Sequence, residues 1–106
     1  MAAKSKRPST RRLAGFRRIL KQHMPELSER YKVKSLGIFG SYVRGAHKQR
    51  SDLDVLIEFA ETPDIFQFMD LEKYLQDLLG VKIDLVSRQA LKGRIGQRIM
   101  REVIPV

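Results

Sequence analysis

Asp52 and Asp54 stand two residues apart in the stretch Ser51-Asp52-Leu53-Asp54-Val55, and Asp84 lies in a later apolar run, Val81 to Val86. Side chains two apart on a strand point the same way. If the two runs pair, all three carboxylates converge on one face. Gathered carboxylates repel one another, and their pKa values rise unless a cation neutralises them. Hard oxygen donors in that number favour Mg²⁺, which uses few carboxylates and completes its shell with water and phosphate oxygens. The chain has no cysteine, and His23 and His47 are not spaced as a zinc pair. Just upstream, Gly40-Ser41 ends another apolar run. Glycine lets a backbone approach a ligand closely, and a helix start offers free N–H groups to phosphate. A phosphate cradle beside carboxylates that hold a metal is the equipment of phosphoryl or nucleotidyl transfer.

The elements that must position these residues follow from periodicity. Leu13, Phe16, Leu20 and Met24 recur at helical spacing, and Pro25 is expected to stop that helix or open a short second one carrying Leu27 and Tyr31. Val33 to Phe39 reads as a buried strand. From Asp52 to Phe59, Leu53, Val55, Ile57 and Phe59 share one face and the two aspartates the other. Thr62-Pro63-Asp64 reads as a helix start with Thr62 as cap, and Ile65, Phe68, Leu71, Leu75, Leu78 and Leu79 form its apolar stripe up to Gly80. A third strand carries Ile83 and Leu85. Leu91, Ile95, Ile99 and Val103 predict a last helix stopped by Pro105. The fold class is α+β (α/β): one small mixed sheet with helices packed mainly on one face.

The 106 residues make one domain, expected over 11–106, behind a flexible basic leader over 1–10. A hydrophobic content of 42% argues against wholesale disorder. No apolar run approaches the roughly 20 residues that span a bilayer. No secretory signal stands at the start, so neither membrane nor export is expected, and the lack of cysteine fits a cytoplasmic setting. The net charge of +9 is concentrated: residues 1–21 hold eight basic side chains and no acid, while the rest balances to +1. Such an arm makes nucleic acid a candidate partner through counterion release.

Gly40-Ser41-Tyr42-Val43-Arg44-Gly45, then Ser51-Asp52-Leu53-Asp54-Val55, resembles the nucleotidyltransferases related to DNA polymerase beta. Their mark is Gly-Ser, about ten residues, then Asp-any-Asp, and residues 42–51 are the ten here. Asp84 stands where that family places its third carboxylate. The compact length and the Arg44-Gly45 pair resemble its minimal subgroup, whose members serve as antitoxins to helical HEPN-type ribonuclease toxins. The resemblance implies that Asp52, Asp54 and Asp84 bind two Mg²⁺ ions, with Asp84 assisting deprotonation of the attacking hydroxyl. It implies that Gly40 and Ser41 hold the phosphates of ATP. Arg44 either helps neutralise their charge or braces the helix against an acid.

Only residues 85–106 follow Asp84, so no separate substrate-gripping domain is expected; either another protein presents the substrate, or the chain is the catalytic half of a hetero-oligomer. The implied activity is transfer of AMP from ATP to a tyrosine of a HEPN toxin in a hetero-oligomer. Its rivals are a non-catalytic antitoxin that blocks its partner sterically and a nucleic-acid-directed nucleotidyltransferase. The stripes Leu13–Met24 and Ile95–Val106 are candidate docking surfaces whose ordinary use is core packing. Tyr42 is expected to pack and His47 to be solvated.

Overall fold

Alternation along two central strands sets the architecture. In a computed structural model, which describes residues 8–48 and 51–106, β1 (Val33–Phe39) and β2 (Leu53–Phe59) run antiparallel, with Leu36 opposite Ile57 and Ile38 opposite Val55. Those four side chains, with Leu53 and Phe59, face one core. β3 (Ile83–Ser87) lies parallel to β2, joined to it through α3 (Ile65–Leu79), as a parallel connection requires. The sheet order is β3-β2-β1-β4, mixed as expected.

The core is closed by α1 (Pro8–Tyr31) and α3, which contribute Phe16, Leu20 and Leu27, and Leu71 and Leu75. The apolar stripe Leu13–Met24 is therefore packed inside rather than offered to a partner. Pro25 neither stops α1 nor opens a second helix; it lies inside one continuous 24-residue helix. An interior proline costs about 3 kcal/mol. Leu20 and Leu27 lie on either side of it and are both fully buried, which at about 1.5–3 kcal/mol per side chain offsets that cost. The leader expected over 1–10 lies outside the described residues up to position 7, and the helix begins at Pro8.

α3 starts later than Thr62 implies. Asp64 is the cap: its carboxylate accepts from the Gln67 N–H at 2.8 Å, and Gln67 Oε1 accepts from the Asp64 N–H at 3.1 Å. This reciprocal box outcompetes a lone threonine because it satisfies two free donors at once. Gly80 closes the helix in the left-handed region, as expected. Ile65, counted in the core stripe, stands 62% exposed in the first turn.

Two short elements had no signal in the periodicity. α2 (Ser41–Arg44) is a single turn after β1, and β4 (Ile104–Pro105) pairs with Gly37 and Ile38. α4 (Gly93–Glu102) precedes β4 in the chain, with only Val103 between them. The Val106 N–H donates to the Leu36 carbonyl at 2.9 Å, and Arg17 donates to the Pro105 carbonyl at 3.0 Å. With the antiparallel pairing of β4 on β1, these contacts bring the end of α4 to the end of β1. Ile95, in the stripe Ile95–Val106 named above as a candidate docking surface, is exposed. Among the described residues no helix is long and apolar enough to cross a membrane.

Candidate active site

β1 and β2 deliver two of the expected groups to one point. Phe39 is the register partner of Asp54, so the residue after it, Gly40, turns directly over the Asp54 side chain. Gly40 has φ 82° and ψ −152°, a region that essentially only glycine occupies. A Cβ there would collide with the Asp54 carboxylate. The glycine is therefore required twice, by the backbone and by the space. The N–H groups of Val43 and Arg44 return to the Gly40 carbonyl at 3.0 and 3.1 Å, which makes α2 one tight turn. Ser41 opens that turn and is partly exposed.

β2 and β3 deliver the third group. Leu53 pairs with Ile83 and Val55 with Leu85, all buried, which locks the register and sets Asp54 beside Asp84 on the opposite face. Asp54 is pushed up to about 6: burial is the largest cause, followed by the charge of Asp84, a hydrogen bond between the two carboxyl groups, and the charge of Asp52. Arg44 opposes the rise. Asp52 precedes β2 and acts on Asp54 through its charge. Among the described residues no three carboxylate or imidazole groups are close enough together to hold an ion. The pair Asp54–Asp84 is the centre of the arrangement. Its chemistry fits a hard divalent cation, since two oxygen donors forced together against their own repulsion are what such an ion relieves.

A cavity of about 240 Å³ opens beside this pair, lined by Gly40, Arg44, Asp54, Ile95, Arg98 and Glu102 among others. Whole-ligand pockets run to about 300–1,000 Å³, so this one suits a phosphate portion rather than an entire nucleotide. A larger hollow of about 510 Å³ lies elsewhere along α4, between Arg88, Lys92 and Arg101, with no carboxylate in its wall. Size does not mark the chemistry here; the carboxylates and the glycine turn do.

Arg44 meets an acid that periodicity had not singled out. Its Nη1 donates to Glu102 Oε1 at 2.8 Å, and Glu102 Oε2 accepts from the Gly40 N–H at 2.6 Å. Partial burial pushes the Glu102 carboxyl up, but the Arg44 hydrogen bond, the Gly40 N–H and the charges of Arg44 and Arg98 outweigh it and hold it below the usual range. One signal in the sequence pointed to Glu102. It is the sole acid after Asp84, and it lies in the last helical turn, where the helix dipole disfavours negative charge.

Two neighbours belong to the scaffold. Tyr42 is buried, with Phe16 edge-on to its ring at 5.6 Å and Arg12 over it at 5.5 Å, so it packs as expected. His47 is not simply solvated. It stacks on Tyr42 at 4.1 Å, half-buried, and its Nδ1 has no hydrogen-bond partner among the described residues.

A glycine turn, paired carboxylates and a phosphate-sized hollow on a mixed sheet define a nucleotidyltransferase. The nucleotidyltransferase domain family matches residues 20–105. Protein adenylyltransferase MntA of Thermococcus cleftensis is 48% identical over 88 residues, covering 83% of this chain and 89% of that one. A Methanocaldococcus jannaschii protein assigned as a protein adenylyltransferase is 55% identical over 75 residues, covering 71% and 76%. A solved structure described as a minimal nucleotidyltransferase superposes with a TM-score of 0.70 at 34% identity, covering 84% and 91%. A toxin–antitoxin complex with AMP-PNP shares the fold, with a TM-score of 0.63 at 24% identity and coverage of 83% and 66%. The chain belongs to the nucleotidyltransferase domain family, in its minimal form.

Proposed function

We propose that this protein is an antitoxin that transfers AMP from ATP to a tyrosine hydroxyl of a HEPN-type toxin. The observation that carries the reading is the seating of Gly40 on Asp54 with Asp84 alongside, a phosphate turn within contact of a carboxylate pair. The names of the similar proteins support the acceptor class, since they describe protein adenylyltransferases and toxin–antitoxin complexes.

Asp54 and Asp84 would hold Mg²⁺, with Asp52, just before β2, adding its negative charge. When bound, the ion would neutralise charge on the phosphates and on the carboxylates together. The turn Gly40-Ser41 orients the β- and γ-phosphates, and Arg44, on the same turn, adds a cation beside them. The tyrosine oxygen then attacks the α-phosphorus. A new P–O bond forms to the tyrosine, the bond to the β-phosphate oxygen breaks, and pyrophosphate leaves. Asp84, at the exposed edge of the pair, takes the phenolic proton.

Incubating the protein with α-labelled ATP, Mg²⁺ and a HEPN-type toxin tests this. The expected result is a gain of one AMP on a toxin tyrosine and loss of toxin activity. A toxin that is silenced without gaining mass would replace this reading with steric neutralisation.

A further inference from the structure

Glu102 and the nucleotide's phosphates compete for the same donors. One oxygen of Glu102 sits on the Gly40 N–H at 2.6 Å and the other on the Arg44 guanidinium at 2.8 Å. A carboxylate spanning a backbone N–H and a guanidinium presents the same pair of anionic oxygens that a phosphate does. The side chain is only 15% exposed and lines the hollow beside Asp54. Within its own helix the carbonyl end of α4 repels a negative charge there, while the charge of Arg98 favours it. Its partners are across the fold: Gly40 and Arg44 lie 62 and 58 residues away.

The position is also held from behind. Gly37 on β1 leaves room for the Val103 side chain, and any Cβ at Gly37 would strike it. β4 then pairs with Gly37 and Ile38 directly after Glu102. The carboxylate is thus aimed at the turn by the fold, not by chance rotation of a surface side chain.

We propose that Glu102 is a built-in competitor for the nucleotide's phosphate, resting on the reading of Gly40 and Arg44 as phosphate ligands. A triphosphate gains the Gly40 N–H and Arg44 only as Glu102 releases them. Nucleotide affinity is therefore set partly by how readily Glu102 leaves, and Arg44 passes from one anion to another rather than being ordered anew.

Calorimetric titration of the full-length protein with Mg²⁺ and a non-hydrolysable ATP analogue tests this, comparing wild type with Glu102→Gln. The amide keeps the shape but is neutral, and it can accept from only one of the two donors while its own N–H₂ faces the other. Expected is binding about five- to tenfold tighter in the variant, the size of roughly one charge-assisted hydrogen bond no longer broken. Adenosine, which has no phosphate, should bind both proteins alike. A variant that binds the analogue no better than a binding-competent wild type overturns the inference and leaves the nucleotide reading standing. An equal gain for adenosine also overturns it. If only the variant binds, the competitor role is supported in its strongest form. If neither protein binds, the nucleotide reading fails and this inference fails with it.

Discussion

Asp54 and Asp84 are direct register partners across the parallel seam of β2 and β3, so two carboxyl groups share one side of the sheet. The sharing is unfavourable at neutral pH: burial and the neighbouring acids raise Asp54 to about 6, above the ~3.9 of an unfolded aspartate. A group raised in the folded state contributes most to stability below its unfolded value. That contribution is lost as pH rises through the folded one. In chelator, wild type should therefore lose stability between about pH 4 and pH 7. Asp54→Asn should be more stable than wild type by about 1 kcal/mol at pH 7.5, a value discounted because the group is partly exposed. The gap should close near pH 4. Urea unfolding at the two pH values measures it, and a variant less stable than wild type at pH 7.5 would contradict the strained pair.

Relief of that strain by a cation is measurable without substrate. Adding millimolar Mg²⁺ at pH 7.5 should raise the melting temperature of wild type by a few degrees, since a ligand that binds only the native state stabilises it by mass action. Asp54→Asn and Asp84→Asn should show little or no rise, and neither should transfer AMP. An equal rise in all three proteins would place the ion elsewhere.

The pair was legible before any coordinates because two rules suffice for it. Period-two alternation puts Asp54 opposite to Val55, and buried Ile83 and Leu85 force Asp84 to the same outer face. Three strands and three long helices were readable from the same short-range signals. The rest depends on contacts between distant residues. β4 is two residues long and ends in a proline that reads as a helix stop, yet Gly37 and Ile38 recruit it. Glu102 meets Gly40 and Arg44 only after the sheet and α4 are assembled, and no local pattern encodes a partner 62 residues away. Ile65 shows the converse failure: helical spacing defines a stripe, not which part of the stripe will find a partner.

Pro25 offers a test of how packing overrides local propensity. It lies inside α1 with Leu20 and Leu27 fully buried to either side. Replacing it with alanine restores the N–H that the preceding turn's carbonyl can accept and removes the ring clash, gains worth up to about 3 kcal/mol. It also frees the unfolded chain, which costs about 0.4–1 kcal/mol. Because the fold already accommodates the ring, the net expectation is stabilisation of about 1 kcal/mol by urea unfolding, with nucleotide binding unchanged. A destabilised Pro25→Ala would mean that α1 needs the proline's geometry rather than tolerating it.

Gly40→Ala separates the site's two demands on one residue. The backbone at φ 82° costs a non-glycine residue about 1–3 kcal/mol, and the added methyl strikes the Asp54 carboxylate. If only strain mattered, the variant would unfold more easily but bind nucleotide normally while folded. The collision predicts more. Asp54 must swing away from the turn, which parts the phosphate cradle from the carboxylate pair, and the Gly40 N–H must re-aim. The expected outcome at low temperature, where circular dichroism shows the chain folded, is at least a tenfold loss in affinity for the ATP analogue together with loss of the Mg²⁺-induced rise in melting temperature. Folded Gly40→Ala that binds both as wild type does would show that the turn and the carboxylates act independently, and that the close approach of Gly40 to Asp54 serves packing alone.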